Sequence, residues 1–299
     1  MFTYTIIIPH KNTPQLLQRC LDSIPIRVDI QIIIVDDFSD STIVDFNNFP
    51  GSNRLNVEIY LTKEGKGAGY ARNVGLTKAK GMWILFADSD DFFNKNFIEQ
   101  TDKYINGNND IIYFLANSVD SDSLVSAERH LYLVKTRKKY YKKLKSDRSK
   151  AKDQLIYKNW EAFAKMFRRS FIEKNKLNFE EVKVGEDALF VIKAGKLSNN
   201  YAVDDFPIYC VTYRNTSVCY KLDTENEFDN MFMAKIRINN YLMKMNKSKF
   251  TVDLDKDLLL SYNYGGKRKM KQTFKLIGNN KNKMRFKTYL KYYLKLFFF

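Results

Sequence analysis

Along the first third of the chain the apolar positions switch repeatedly between an unbroken run and a helical spacing. Tyr4-Thr5-Ile6-Ile7-Ile8 is a continuous β-branched run, which predicts a buried strand ended by Pro9. Thr13 is placed to cap a helix with Pro14 at its first position, running to about Ser23. Gln31-Ile32-Ile33-Ile34-Val35 predicts a second buried strand, and the alternating Val57-Glu58-Ile59-Tyr60-Leu61 a third. A glycine-rich loop follows, Gly65-Lys66-Gly67-Ala68-Gly69. The spacing then predicts a helix from Tyr70 to Lys80 closed by Gly81, and a fourth strand over Met82-Trp83-Ile84-Leu85-Phe86-Ala87. Strands alternating with helices imply an α/β fold with a mostly parallel sheet flanked by helices. Ligands of such sheets bind at the carboxyl ends of the strands.

Farther on, the pattern predicts a strand at Ile111 to Ala116, a helix from Trp160 to Lys174, and a strand pair over Val203 to Val211. Beyond about residue 222 the chain reads as helical and basic. No repeat is evident. The first apolar stretch is too short for a signal peptide, and no apolar run approaches the roughly 20 residues that span a bilayer. A cytoplasmic protein, peripheral at the inner face of the plasma membrane, is the expectation.

Charge divides the chain. Residues 1–120 hold 11 Lys/Arg against 15 Asp/Glu, whereas residues 121–299 hold 39 against 19. An anionic partner for the second part follows: a membrane surface, a phosphorylated acceptor or nucleic acid. Residues 135–152 alone carry 10 Lys/Arg and one acid, and read as a charged helix or a solvated loop. Lys283, Lys287, Lys291 and Lys295 recur every four residues, so on a helix they drift about 40° per step and form one stripe. Phe286, Tyr289, Leu290, Tyr293, Leu294 and Phe297 cover much of the rest. This is the pattern of an interfacial membrane helix, or of a helix packed on the protein with its lysines in water. The three cysteines, Cys20, Cys210 and Cys219, have neither the number nor the spacing of a disulfide framework or a metal site.

Four local clusters carry candidate chemistry. Asp88-Ser89-Asp90, followed by Asp91, ends a buried strand, and two carboxylates on alternate residues can grip a hard divalent cation; the same acids also suit a capped turn. Asp36-Asp37 with Ser39 ends another strand and can accept hydrogen bonds from a base or ribose, or simply close a turn. Lys66 and Arg72 flank the glycine loop and can neutralise phosphate, although the P-loop spacing is absent. Glu186-Asp187 opens an apolar segment and can supply a general base, or just favourable charge at a helix start.

The order of these blocks resembles the family-2 group of inverting GT-A glycosyltransferases, particularly those that build bacterial capsule, exopolysaccharide and O-antigen. The similarity is carried by Ile7-Ile8-Pro9-His10-Lys11-Asn12, Val35-Asp36-Asp37-Phe38-Ser39, Ala71-Arg72-Asn73-Val74-Gly75, and Ala79-Lys80-Gly81 leading to Asp88-Ser89-Asp90-Asp91. Lys165, Phe179-Glu180-Glu181, Gly185-Glu186-Asp187 and Tyr213-Arg214 with Ser217-Val218 complete it. The resemblance spans residues 4–218. It implies a GT-A (Rossmann-like) catalytic domain over 1–220, with a nucleotide-sugar half at 1–120 and an acceptor-side half at 121–220. A basic helical extension occupies 221–299.

The resemblance further implies roles. Pro9, Asn12, Asp37, Lys66, Arg72, Asp88, Ser89 and Asp90 would hold a nucleotide-sugar donor, UDP-linked in most of the group. Asp90 and Asp88 would bind Mn²⁺ or Mg²⁺. Asp187 would be the base, with Glu186 supporting it. The acceptor would be a glycan or an undecaprenyl-diphosphate-linked glycan, and no nucleic acid is expected. One departure stands out: His10-Lys11 replaces the group's usual small residue and Tyr. An inactive scaffold of the same fold and a basic nucleic-acid-binding protein are the rival readings. The first leaves the retained acids without a use, and the second leaves the acidic half unexplained.

Overall fold

A computed structural model describes residues 1–126, 135, 137–142, 144, 148–214 and 223–298. The chain divides into two compact units, residues 1–214 and 215–299. The first unit is built on one eight-stranded sheet. Its strands are β1 (Tyr4–His10), β2 (Ile30–Asp37), β3 (Val57–Thr62), β4 (Trp83–Phe86), β5 (Phe92–Phe93), β6 (Ile111–Asp120), β7 (Lys165–Arg168) and β8 (Tyr201–Tyr213). The spatial order is β3-β2-β1-β4-β7-β6-β8-β5. Strands β3, β2, β1 and β4 run parallel, β7 is antiparallel to both its neighbours, and β6 and β8 are parallel.

Both faces of the sheet are covered, which is why the central strands are apolar throughout. Tyr4, Ile6, Ile8, Ile32 and Ile34 face one core, with Leu17, Cys20 and Leu21 of helix α1 (Pro14–Asp22) packed among them. The intervening Ile7, Ile33 and Val35 face the other. That second core takes Ala71 of α2 (Ala68–Lys78) and Phe190, Val191 and Ala194 of α6 (Glu186–Leu197). Helices α3 (Phe97–Asp102), α4 (Arg148–Lys158) and α5 (Arg169–Lys174) complete the unit.

Several expectations are corrected here. Pro9 does not end β1, which continues to His10 opposite Asp36. Ile7 directs its carbonyl to Ala87 on the β4 side, so the nitrogen of Pro9 faces that side too. Pairing with β4 stops at Phe86, so a missing N–H there forfeits no ladder bond. Thr13 does precede α1, but its hydroxyl meets Ser89 Oγ at 3.1 Å and caps no helix amide. The segment Trp160 to Lys174 is not one helix. Lys165–Arg168 is drawn into the sheet between β4 and β6, whose facing edges both need a partner, and only Arg169–Lys174 is helical. Val203 to Val211 lies within one long strand, β8, with register shifts near Pro207 rather than a strand pair. Of the basic stretch 135–152, residues 136, 143 and 145–147 lie outside the described residues, as do Ser217-Val218 and Cys219; its last part opens α4.

The second unit is helical. Helix α7 (Glu225–Lys244) starts with a reciprocal capping box between Thr224 and Glu227. Helices α8 (Asp255–Leu260), α9 (Tyr262–Asn279) and α10 (Phe286–Phe298) follow, α9 being broken at Gly265-Gly266. Phe228, Phe232, Ile236, Leu258, Met270, Ile277 and Tyr292 form the core of this unit. Helix α10 begins after Lys283, so that lysine stands outside the helical stripe. No helix of the described residues is long and apolar enough to cross a membrane.

Gly81, just before β4, allows backbone to pass backbone. A Cβ there would lie 2.4 Å from Tyr4 C and Thr5 N, and the glycine N–H donates to Thr5 Oγ1 at 2.8 Å. Gly81→Ala is therefore expected to destabilise the chain by about 1–3 kcal/mol through enforced backbone shifts. Denaturant unfolding of the two proteins measures this as a lower midpoint at unchanged slope.

Candidate active site

The acids at the strand ends separate into structural and available groups. Asp36, at the end of β2, is 1 % exposed and fully engaged. It accepts from Ser39 N and Ser39 Oγ and from His10 Nδ1 at 2.8 Å. Burial pushes its carboxyl up, but these donors win and hold it below the ordinary value. His10 Nε2 accepts from Thr13 N, so the ring carries its proton on Nδ1 and sits edge-on to Phe49. The unusual histidine thus points into the protein and locks β1 to β2.

Asp37 differs. It is 3 % exposed, and Oδ2 accepts from Gly67 N at 2.8 Å, with Lys11 Nζ at 3.9 Å. Its Oδ1 is buried with no hydrogen-bond partner among the described residues. A buried acceptor left in that state is costly, and a ligand N–H or O–H would satisfy it. Asn12, in a left-handed conformation, accepts from Asp40 N through Oδ1 and donates its own N–H to Ser39 Oγ. Pro9 is buried beside it. Lys66 is exposed, rests on the Tyr70 ring at 4.9 Å and lies 3.8 Å from Glu181.

The turn after β4 carries Asp88, Ser89, Asp90 and Asp91. Asp88 N meets Tyr209 Oη at 2.8 Å, which pins the start of the turn to β8. Asp91 is buried and accepts from Thr212 N at 2.7 Å. Arg19 of α1 and the Thr212 hydroxyl both donate to the Asp90 carbonyl. Arg214 Nη2 lies 2.5 Å from Asp90 Oδ2. Burial pushes both Asp90 and Asp91 above the ordinary carboxyl value, and repulsion within the cluster adds to this.

Arg72 joins this turn to the second acid pair. It is 4 % exposed, with one nitrogen 2.5 Å from Asp88 Oδ1 and another 2.7 Å from Glu186 Oε1. Its guanidinium also stands over the Phe179 ring at 5.3 Å. Neighbouring Asn73 exchanges two hydrogen bonds with the Phe179 backbone. Gly69 allows Glu180 O to approach to where a Cβ would stand, 2.0 Å away. The Ala71-Arg72-Asn73 block is therefore a clamp, holding the chain before α6 against α2.

Glu186 and Asp187 open α6 behind Gly185, whose φ of +71° turns the chain into the helix. Burial, then Glu186, push Asp187 up to about 7 against the opposing pull of Arg72. Behind it lies Lys165 on β7, buried, donating to Asn159 Oδ1 at 3.1 Å and to the Glu161 carbonyl. Burial and Arg137 bring its ammonium down to about 7. Arg137 in turn pairs with Glu161.

Arg72, Asp88 and Glu186 are thus joined by direct contacts, Ser89 and Asp90 follow Asp88 in the same turn, and Asp187 follows Glu186. Asp37 is linked to the glycine loop through Gly67. The supporting residues Arg19, Tyr209 and Thr212 carried no local signal as site residues, because each acts by a contact distant in sequence. Among the described residues no three His, Cys, Asp or Glu side chains converge as a complete metal cage.

Residues 5–175, more than half the chain, match the Glycosyl transferase family 2 domain. The poly(ribitol-phosphate) beta-N-acetylglucosaminyltransferase TarS of Staphylococcus aureus is 26% identical over 223 residues, covering 72% of this chain and 36% of TarS. The chain therefore spans about a third of that relative's length. TarP of Staphylococcus aureus, a poly(ribitol-phosphate) beta-N-acetylglucosaminyltransferase, is 26% identical over 244 residues, covering 78% of this chain and 69% of TarP. The crystal structure of S. aureus TarS 1-349 in complex with UDP-GlcNAc superposes with a TM-score of 0.66 at 20% identity, over 93% of this chain and 80% of that one. That likeness places the chain among GT-A folds. With the domain match extending from β1 through α5, this chain belongs to glycosyl transferase family 2.

Proposed function

We propose that the chain is an inverting glycosyltransferase. It moves a sugar from a UDP-linked donor to a glycan or undecaprenyl-diphosphate-linked acceptor in bacterial surface polysaccharide synthesis, at the inner face of the plasma membrane. The observation that carries this reading is the Asp88–Arg72–Glu186 bridge. It sets a half-buried carboxyl, Asp187, raised to about 7, next to an acid turn at the carboxyl end of a parallel strand. Relatives that act on poly(ribitol-phosphate), a polyanion, support an anionic acceptor, and so does the excess of basic residues after residue 120.

In this reading Pro9, Asn12 and Asp37 line the nucleoside pocket. The partnerless Asp37 Oδ1 accepts from the base. Lys66 offsets phosphate charge at the edge of the glycine loop. Asp88 and Ser89 take the ribose side. Arg72 orients Asp88 and Glu186 rather than reaching the donor itself. Asp187 removes the acceptor hydroxyl's proton as the oxygen attacks the anomeric carbon, and Glu186 helps keep its proton affinity near neutrality.

The donor set suits a divalent cation. Asp88 and Asp90 are hard oxygen donors two residues apart, each with one oxygen on an arginine and lone pairs to spare, and burial together with Asp88 raises Asp90. Mg²⁺ or Mn²⁺ is commonly held by one or two carboxylates, with substrate phosphate and water completing the shell, so a three-residue cage is not required. When bound there, such an ion would stabilise the charge of the departing nucleoside diphosphate.

Calorimetry with UDP in Mn²⁺ is expected to give saturable binding that chelation weakens. Asp90→Ala should remove the metal dependence. Asp37→Ala should weaken binding about 10–100-fold, the equivalent of one lost hydrogen bond to a buried partner. Failure of every nucleotide to bind the folded protein would end this reading.

The sign for Asp187 is set by its raised value. The base is unprotonated above about 7, so kcat/KM should climb through that pH and level off above it. Because the folded state holds this proton more tightly than the unfolded chain does, the same carboxyl subtracts stability as pH rises from about 4 to about 7. Asp187→Asn should lower kcat about 10²–10⁴-fold and remove the inflection in a pH–rate profile.

A further inference from the structure

Helix α10 has two apolar faces, and its own unit uses only one. Thr288 and Tyr292 are each 5 % exposed, and Tyr292 stacks on Phe274 of α9 at 4.2 Å. On the other side Phe286 is 81 % exposed, Leu290 54 %, Tyr293 48 %, Leu294 46 % and Tyr289 37 %. At about 100° per residue these five span a sector of about 140°, centred opposite the packed face. From Phe286 to Leu294 the apolar stripe runs for about 12 Å along the helix.

Lysines border the stripe along one edge, and more are exposed on the helix that meets its other edge. Lys287 and Lys291 are exposed along one edge of α10. At the other edge Tyr289 meets Phe274 of α9, ring centroids 5.7 Å apart. Helix α9 therefore runs along that side, and it carries exposed Lys267, Lys271 and Lys275 at four-residue spacing. From Leu258 to Phe299 there are 11 Lys/Arg and no acid.

We infer that the α10 stripe of Phe286, Tyr289, Leu290, Tyr293 and Leu294 inserts into the interface of an anionic lipid bilayer, with the two lysine rows set on the headgroups. An apolar helix face lying in the headgroup region and flanked by basic side chains is the arrangement such surfaces bind. Two other occupants fit less well. A soluble polyanion would satisfy the lysines and leave Phe286, Leu290 and Leu294 in water. A second copy of the chain, packed stripe to stripe, would bring identical lysine rows together. The inference rests on the membrane-side part of the proposed function, which gives such a surface a use, and not on the donor site.

The test is flotation of the intact chain with vesicles of phosphatidylcholine alone and of phosphatidylcholine mixed with phosphatidylglycerol. The chain should float with the mixed vesicles and far less with the neutral ones. Phe286→Ser with Leu290→Ser should reduce the partition at least about tenfold, given the apolar area each side chain would bury. Lys287→Ser with Lys291→Ser should reduce it about fivefold per lysine. Since all four side chains are exposed, unfolding midpoints and UDP binding should be unchanged. No flotation of the folded chain would overturn the inference. So would flotation that ignores the Phe286/Leu290 substitutions while following the lysines, which marks a polyanion site. Dimers in light scattering that dissociate on Phe286→Ser, without flotation, would mark a second copy and overturn it equally. Nucleotide binding without flotation sinks only this inference, whereas flotation without nucleotide binding sinks only the donor site.

Discussion

A guanidinium shut away from water must find anionic partners, and Arg72 finds two that come from different parts of the fold. Asp88 stands at the end of β4 and Glu186 at the start of α6. Removing one partner from such a buried set typically costs about 3–5 kcal/mol, because the remaining charge is left uncompensated. The bridge therefore constrains where α6 can start relative to the sheet. The clamp of Asn73 on Phe179 and the close approach at Gly69 act on the same segment. The position of Asp187, one residue beyond Glu186, follows from that constraint.

The electrostatics of the site run opposite to the charge of the whole chain. Asp88, Asp90, Asp91, Glu186 and Asp187 gather where Arg72 and Arg214 supply the paired cations. Burial and mutual repulsion push Asp90, Asp91 and Asp187 toward their protonated forms. A site in this condition is relieved by an incoming cation and holds a proton near neutrality, which are the properties the proposed metal and base roles call on. The backbone N–H of Thr212 on β8 and the guanidinium of Arg19, donating to the Asp90 carbonyl, keep the crowded turn in place.

The site also shows how one residue substitution is absorbed. His10 departs from the motif that the family resemblance implies, and it turns into the protein to bond Asp36. That leaves Asp37 as the acid of the pair with an acceptor to offer. Two adjacent aspartates with the same local sequence context thus have different chemistry, because alternate residues of a strand point to opposite sides.

What the sequence by itself determined was whatever depends on neighbours a few residues apart. The strands Ile6-Ile7-Ile8 and Ile32-Ile33-Ile34 are apolar at every position because both faces are buried, and that is visible in the run itself. Acids placed directly after such strands must emerge at their carboxyl ends, so Asp37, Asp88 and Asp90 were legible as residues of that edge and as candidates for a site, and the four-residue lysine spacing of α10 announced an amphipathic helix. The tertiary structure alone decided the pairings. Arg72 reaches Glu186 across 114 positions and Asp88 N meets Tyr209 across 121. Lys165–Arg168 became a strand instead of a helix because two sheet edges were waiting for it. Which apolar face of α10 is covered depended likewise on Phe274, a residue of another helix. Local pattern fixes what a segment can be, but burial and charge pairing between distant segments settle which of those options has the lowest free energy.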